Sequence, residues 1–269
     1  MPAPVLPASS LARIVRGTGP GLLLAHGAGG GIEPNFGPIL DALAEHRTVV
    51  GPDLPGTGKT PRSGRPLTLD GLADELVATA VEEGVEHFAI AGYSMGAALA
   101  VRAATRHPER VTALVLTAGF IRPNPRFRLA VRIWRELLVA GDLDRLAEYL
   151  SLVGLSEGAL GALSQRDLDT SLAAVAATVP PGTPEHLDLL DRIDVQDDLK
   201  HMNVPTLVIS TTYDSLVTPE LQRHLATAVP GARTAAIATG HLPFVERPDE
   251  WLTLHRRFLA DTSVSSARF

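Results

Sequence analysis

The chain has 269 residues, 45% of them hydrophobic and 20% charged, with a formal net charge of −6 at pH 7. Such a composition suits a globular protein with one sizeable core, and the acidic balance gives no electrostatic footprint for nucleic acid. The absence of cysteine excludes disulfides, thiolate metal sites and a cysteine nucleophile. The opening MPAPVLPASSLARIV lacks a basic segment followed by a long apolar run, and no stretch approaches the roughly 18 apolar residues of a membrane span. A cytoplasmic protein without membrane contact is therefore expected.

In chain order, ARIVRGTGPGLLLAHG reads as an antiparallel hairpin turning over Gly17–Gly21. Short apolar runs cut off by Gly, Pro or polar turns follow at RTVVGPD (47–53), HFAIAGYS (87–94), VTALVLTAG (111–119) and PTLVIST (205–211), with a weaker one at RTAAIATG (233–240). Between them NFGPILDALAEH, LDGLADELVATAVEEG, MGAALAVRAATRHPER and TPELQRHLATAVPG space their apolar residues as helices do. Strands buried on both faces and alternating with helices predict a mostly parallel α/β sheet. From about 121 to 198 only helical patterns occur, and Phe127, Val131, Trp134 and Leu138 form one apolar stripe there, with Arg128, Arg132 and Arg135 turned largely away. This stretch reads as a helical insertion between two strands. The tail DTSVSSARF is expected to be disordered.

GPDLPGTGKT at 51–60 ends in the letters of a phosphate-binding loop, but Asp53 stands where the first glycine is required. Pro61 also disfavours the helix that should begin at Thr60. A nucleotide site is not expected.

GYSMG at 92–96 carries more chemistry. It lies between an apolar strand and a helix, where a sharp turn needs small residues at Gly92 and Gly96 and leaves the Ser94 hydroxyl projecting. A serine hydroxyl is a poor nucleophile until a base takes its proton and an acid orients that base. Of the nine histidines, His241 in ATGHLPFVERPDEW follows the last strand, where loops gather at the carboxyl edge of the sheet. His46, His87, His186, His201, His224 and His255 read as solvated residues on polar faces or element ends, and His107 as a helix-end residue. Asp214 in LVISTTYDSLVTPE lies just past the preceding strand, whereas Asp188, Asp191, Asp194, Asp197 and Asp198 fall in the insertion. The glycine-rich LLLAHGAGGG supplies backbone donors for an oxyanion. The amides of Ala28 and Met95 are the expected pair, Gly27 and Gly29 shape the loop, and His26 braces it.

Together His26–Gly29, the DLPGTG turn at Asp53–Gly58, the elbow at Gly92–Gly96, Asp214 and Gly240–His241 resemble the α/β-hydrolase superfamily over about residues 9–260. In that resemblance DLPGTGKT is the loop after the family's fourth strand, and Lys59 is incidental. The resemblance implies a mostly parallel eight-stranded sheet flanked by helices, a core of residues 1–120 and 199–269, and a helical lid at 121–198 after the sixth strand. It implies the triad Ser94, His241 and Asp214, hydrolysis of a small carboxylic ester, lactone or thioester, and neither metal nor organic cofactor. The serine at the elbow separates the chain from dehalogenases and epoxide hydrolases, which use aspartate. Carbon–carbon hydrolases, cofactor-free perhydrolases and non-turnover binding proteins of the same fold stay open. A small substrate with an apolar acyl or aromatic part is expected against Tyr93, Phe127, Trp134 and Leu242, in a monomer or homodimer.

Overall fold

Seven of the apolar runs form one sheet. In the computed structural model, which describes residue 6 and residues 8–266, they are β1 (Arg13–Arg16), β2 (Gly21–Ala25), β3 (Thr48–Pro52), β4 (Phe88–Tyr93), β5 (Val111–Thr117), β6 (Thr206–Thr211) and β7 (Arg233–Ile237). Their order across the sheet is β1-β3-β2-β4-β5-β6-β7, and every pairing except β1 with β3 is parallel. The helices are α1 (Ile32–Ala44), α2 (Leu69–Glu82), α3 (Met95–Arg106), α4 (Pro125–Ala140), α5 (Leu143–Gly154), α6 (Glu157–Gly161), α7 (Gln165–Ala177), α8 (Thr183–Leu190), α9 (Gln196–Leu199), α10 (Pro219–Ala228), α11 (Pro243–Glu246) and α12 (Pro248–Ser266).

The alternation of side chains along the strands divides the core in two. Leu23, Val50, Ile90, Leu114 and Val208 face a cluster built with α2, α3 and helices of the insertion. Leu22, Val49, Ala89, Val115 and Ile209 face the other way, against Phe36 and Ile39 of α1 and Trp251 and Phe258 of α12. All six residues of β4 are buried, as a central parallel strand requires.

Three expectations are corrected. The opening run is not a hairpin: β1 pairs antiparallel with β3, from Arg13 opposite Pro52 to Arg16 opposite Val49. The reason is burial. All five residues of β2 are buried, so β2 needs neighbours on both edges and takes β3 and β4, whereas β1 is half exposed and stays at the margin. The sheet has seven strands among the described residues rather than eight. Upstream of β1, the amides of Ser9 and Ser10 bond to Glu82 and Glu75 of α2 at 2.7 and 3.1 Å, so side chains occupy groups that a further strand would give to the ladder. The tail is helical through Ser266, because Phe258 and Leu259 bury α12 and Arg233 pairs with Asp261; residues 267–269 lie outside the described residues.

Six helices, α4 to α9, fill the chain between β5 and β6. The first is cut to length by its ends. Asn124 accepts the Phe127 amide at 2.8 Å, Pro125 fits the first turn, and Gly141 closes the helix at φ 69°. Phe127, Val131 and Trp134 of the expected stripe are buried and Leu138 is partly so. Among the described residues no helix is long and apolar enough to cross a membrane.

The strand order sets the place of a site. The chain leaves β2 toward β3 on one side, and β4 lies on the other, so the carboxyl ends of β2 and β4 flank the point where the winding reverses.

Candidate active site

Ser94 follows β4 directly and opens α3, with φ 54° and ψ −118°, a conformation rarely held by a residue with a side chain. Neighbouring bonds impose it: Ser94 N–H donates to Thr117 O at 2.9 Å and Ala97 N–H to Ser94 O at 3.0 Å. A Cβ at Gly92 would strike the carbonyl of Gly96, and one at Gly96 the carbonyl of Ala25, so the elbow glycines are required by close approach.

His241 Nε2 lies 3.0 Å from Ser94 Oγ, and His241 Nδ1 lies 2.7 Å from Asp214 Oδ2. The carboxylate accepts from Nδ1–H, which leaves Nε2 with a lone pair facing the serine hydroxyl. Ser94, His241 and Asp214 are 6%, 5% and 3% exposed. A carboxylate so buried needs donors, and Asp214 has them: Oδ1 accepts from the amides of Leu216 and Val217 at 2.9 and 2.8 Å, and Oδ2 also accepts from Thr211 Oγ1 and Gln222 Nε2 at 2.9 and 3.1 Å. Gln222, a fully buried side chain of α10, bonds Thr211 on both its amide N–H and its hydroxyl besides. Sequence reading did not find Gln222; its place three residues into a helix that begins with Pro219 is the only signal.

The loop carrying His241 is fixed from two sides. Tyr93 Oη–H donates to His241 O at 2.9 Å, and burial first, then the charge of Asp214, raise the phenol's pKa and keep its proton in place. Glu246 accepts from Gly240 N–H at 2.9 Å and from Ser156 N–H at 3.0 Å, joining the histidine loop to the start of α6.

The glycine-rich loop lies beside the serine, close enough that a Cβ on Gly27 would come 3.3 Å from Ser94 Cβ. Its amides have separate fates. Gly27 N–H donates to Asn35 Oδ1 at 3.0 Å, Gly29 N–H to His186 Nδ1 at 3.2 Å and Gly30 N–H to Gly27 O at 3.3 Å. Ala28 N–H and Met95 N–H have no hydrogen-bond partner among the described residues, and these are the two donors expected from the sequence. His26 holds the loop's base: Nδ1–H donates to Gly27 O at 2.8 Å while Nε2 accepts Leu54 N–H at 2.9 Å. Burial pushes its pKa down to about 4, against the Gly27 carbonyl, so the ring is neutral at pH 7.

The expectation of solvated histidines is corrected for two of them. His186 is fully buried between the glycine loop and Pro55, and His255 is buried against Trp251, whose carbonyl accepts its Nδ1–H at 2.9 Å. His107 sits at the helix end, as expected, but is buried with Nε2 2.8 Å from Asp74. After the end of β3 at Pro52 the GPDLPGTGKT stretch forms turns and no helix begins at Thr60, and its carboxylate caps α1 by accepting Ile32 N–H on Asp53 Oδ1 at 2.9 Å.

A cavity of about 220 Å³ opens over Ser94. Tyr93, Phe127, Trp134 and Leu242 all line it, with the partly buried Leu150 and Val153 of α5. The side chains with polar atoms in the lining include Ser94 and His241, Asn35 of α1 and Ser151 of α5.

Residues 20–248 match the family model described as the alpha/beta hydrolase fold. Among curated proteins, the chain is 30% identical over 252 residues to the pyrrolizixenacetamide deacetylase of Xenorhabdus hominickii, covering 93% of this chain and 94% of that protein. It is 33% identical over 265 residues to the pimeloyl-[acyl-carrier protein] methyl ester esterase of Xanthomonas oryzae pv. oryzae, covering 91% and 97%. Among solved structures, a thermophilic esterase from Thermogutta terrifontis superposes with a TM-score of 0.81 at 25% identity, over 94% of this chain and 93% of that one.

Proposed function

Since the chain belongs to the alpha/beta hydrolase fold family and is a hydrolase, we propose that it cleaves small carboxylic esters through an acyl-enzyme on Ser94. One observation carries the reading: a serine 3.0 Å from a histidine that is itself 2.7 Å from a fully bonded carboxylate, on the floor of an apolar cavity.

In this mechanism Ser94 Oγ attacks the substrate carbonyl as its proton passes to His241 Nε2. The bond from Asp214 to Nδ1–H keeps the ring oriented and stabilises the cation. Negative charge collects on the former carbonyl oxygen and is received by the Ala28 and Met95 amides, whose freedom from other acceptors supports that role. Nε2–H then protonates the leaving alkoxide, and water, deprotonated by the same nitrogen, releases the acid and restores Ser94. Lactones and thioesters place the same acyl carbon in the same position. The helices from 121 to 198 act as a lid, since Phe127 and Trp134 cover the cavity from that side.

The cavity of about 220 Å³ lies below the roughly 300–1,000 Å³ common for ligand sites and favours a short acyl group. A second reading, hydrolysis of a short acyl amide, is favoured by the similarity to a deacetylase along nearly the whole chain.

The test is a series of p-nitrophenyl acetate, butyrate and octanoate, run beside the matching anilides. Many turnovers per enzyme, fastest on acetate, are expected. A single stoichiometric burst would instead place the chain among binding proteins of this fold.

A further inference from the structure

The glycine loop cannot hold its own shape. Residues 25–31, AHGAGGG, contain glycine at 27, 29, 30 and 31, and Gly29 sits at φ +63°, so the backbone would sample many conformations unless partners fix it. The carbonyl of the Gly27–Ala28 peptide is held by His26, as described. The next peptide, Ala28–Gly29, has its N–H held by a residue from a distant part of the chain, His186, 157 positions away in α8 of the insertion.

We propose that His186 is a positioning residue for the oxyanion site: by accepting Gly29 N–H on Nδ1, it fixes the peptide that follows Ala28 and aims Ala28 N–H at the developing charge. This rests on the serine-hydrolase reading above.

The environment makes the bond specific. His186 is fully buried, and its two nitrogens do different jobs. Nε2–H donates to Pro55 O at 3.1 Å, which leaves Nδ1 as an acceptor for the amide 3.2 Å away. Burial, and then the neighbouring His26 ring with its centroid 6.2 Å away, push the His186 pKa down to about 4, against Pro55 and Glu185. The ring is thus neutral and able to accept at pH 7. Beside it Gly182 N–H donates to Gly56 O at 2.9 Å, so the start of α8 is joined to the loops after both β2 and β3. Helix α8 therefore ties the lid formed by the helices from 121 to 198 to the loops that carry the site.

Two near-isosteric substitutions separate the nitrogens. In His186→Asn the Oδ1 atom stands near the place of Nδ1 and can still accept Gly29 N–H, while the donor to Pro55 is lost. In His186→Gln the Nε2 amide can still donate to Pro55, while the acceptor for Gly29 is lost. Each loses one buried hydrogen bond, so both should melt at similarly lowered temperatures. With p-nitrophenyl acetate and the full-length chain, His186→Asn should keep kcat within about threefold of wild type. His186→Gln should lose about tenfold to a hundredfold in kcat with KM little changed, part of what deletion of an oxyanion donor costs. Equal kcat in the two folded variants overturns the proposal. If His186→Gln does not fold, His186→Asn alone decides, since a tenfold loss in a folded sample also overturns it. A wild type with neither turnover nor labelling by a fluorophosphonate would instead remove the serine-hydrolase reading.

Discussion

Three histidines, His26, His186 and His255, are buried and held neutral, each with its pKa lowered to about 4 chiefly by burial. In the unfolded chain the same groups return to about 6.5. Between these values the unfolded state binds more protons, so stability is complete above about pH 6.5 and is lost as pH falls toward about 4. Each histidine can contribute about 3 kcal/mol to that loss, and the three together about 10 kcal/mol, comparable with the whole stability of a typical domain. Around pH 5 the slope should approach about 4 kcal/mol per pH unit. Asp74 adds little in this window. Burial disfavours the Asp74 anion, but Arg106 and His107 outweigh it and hold its pKa below the usual value, so its contribution is lost only at more acid pH. The assay is urea unfolding followed by circular dichroism at pH 7.5, 6.5, 5.5 and 5.0. His255→Leu, outside the cavity lining, should lower the slope by about 1.4 kcal/mol per pH unit. Stability that stays flat from pH 6.5 to 5, or an unchanged slope in His255→Leu, would refute the reasoning.

Gln222→Leu removes a donor from Asp214 and the contacts to Thr211, and should lower kcat about tenfold with a stability loss of about 1–3 kcal/mol, read by steady-state kinetics and melting. Trp134→Ala opens the cavity on the insertion side. It should cost about 3–5 kcal/mol and move the preference from p-nitrophenyl acetate toward butyrate or octanoate. Gly96→Ala drives a Cβ onto the Ala25 carbonyl, and the displaced elbow should cost at least about a hundredfold in kcat.

Much of this architecture was legible in the sequence because it is local. Six parallel strands announce themselves as short apolar runs, and the serine, histidine and aspartate each stand within a few residues of a strand's carboxyl end. What sequence could not convey depends on contacts between distant segments. Nothing in ARIVRGTGPGLLLA says that β3 will enter between the two runs; only the complete burial of β2 in the folded sheet explains it. His186 sits in TPEHLDLL, a helix whose charged residues suggest solvent, and its burial goes with the close approach of the Gly56 and Gly182 backbones and the packing of Gly29 against Trp134 and Thr183. Gln222 likewise looks like one more polar helix residue until Asp214 and Thr211 are placed beside it.

The most direct test of the central claim is labelling with a fluorophosphonate probe followed by peptide mapping, on wild type, Ser94→Ala and His241→Ala. An activated serine predicts modification at Ser94 in the wild type, none in Ser94→Ala and almost none in His241→Ala. Labelling of the wild type at another residue, or at Ser94 with undiminished rate in His241→Ala, would contradict it.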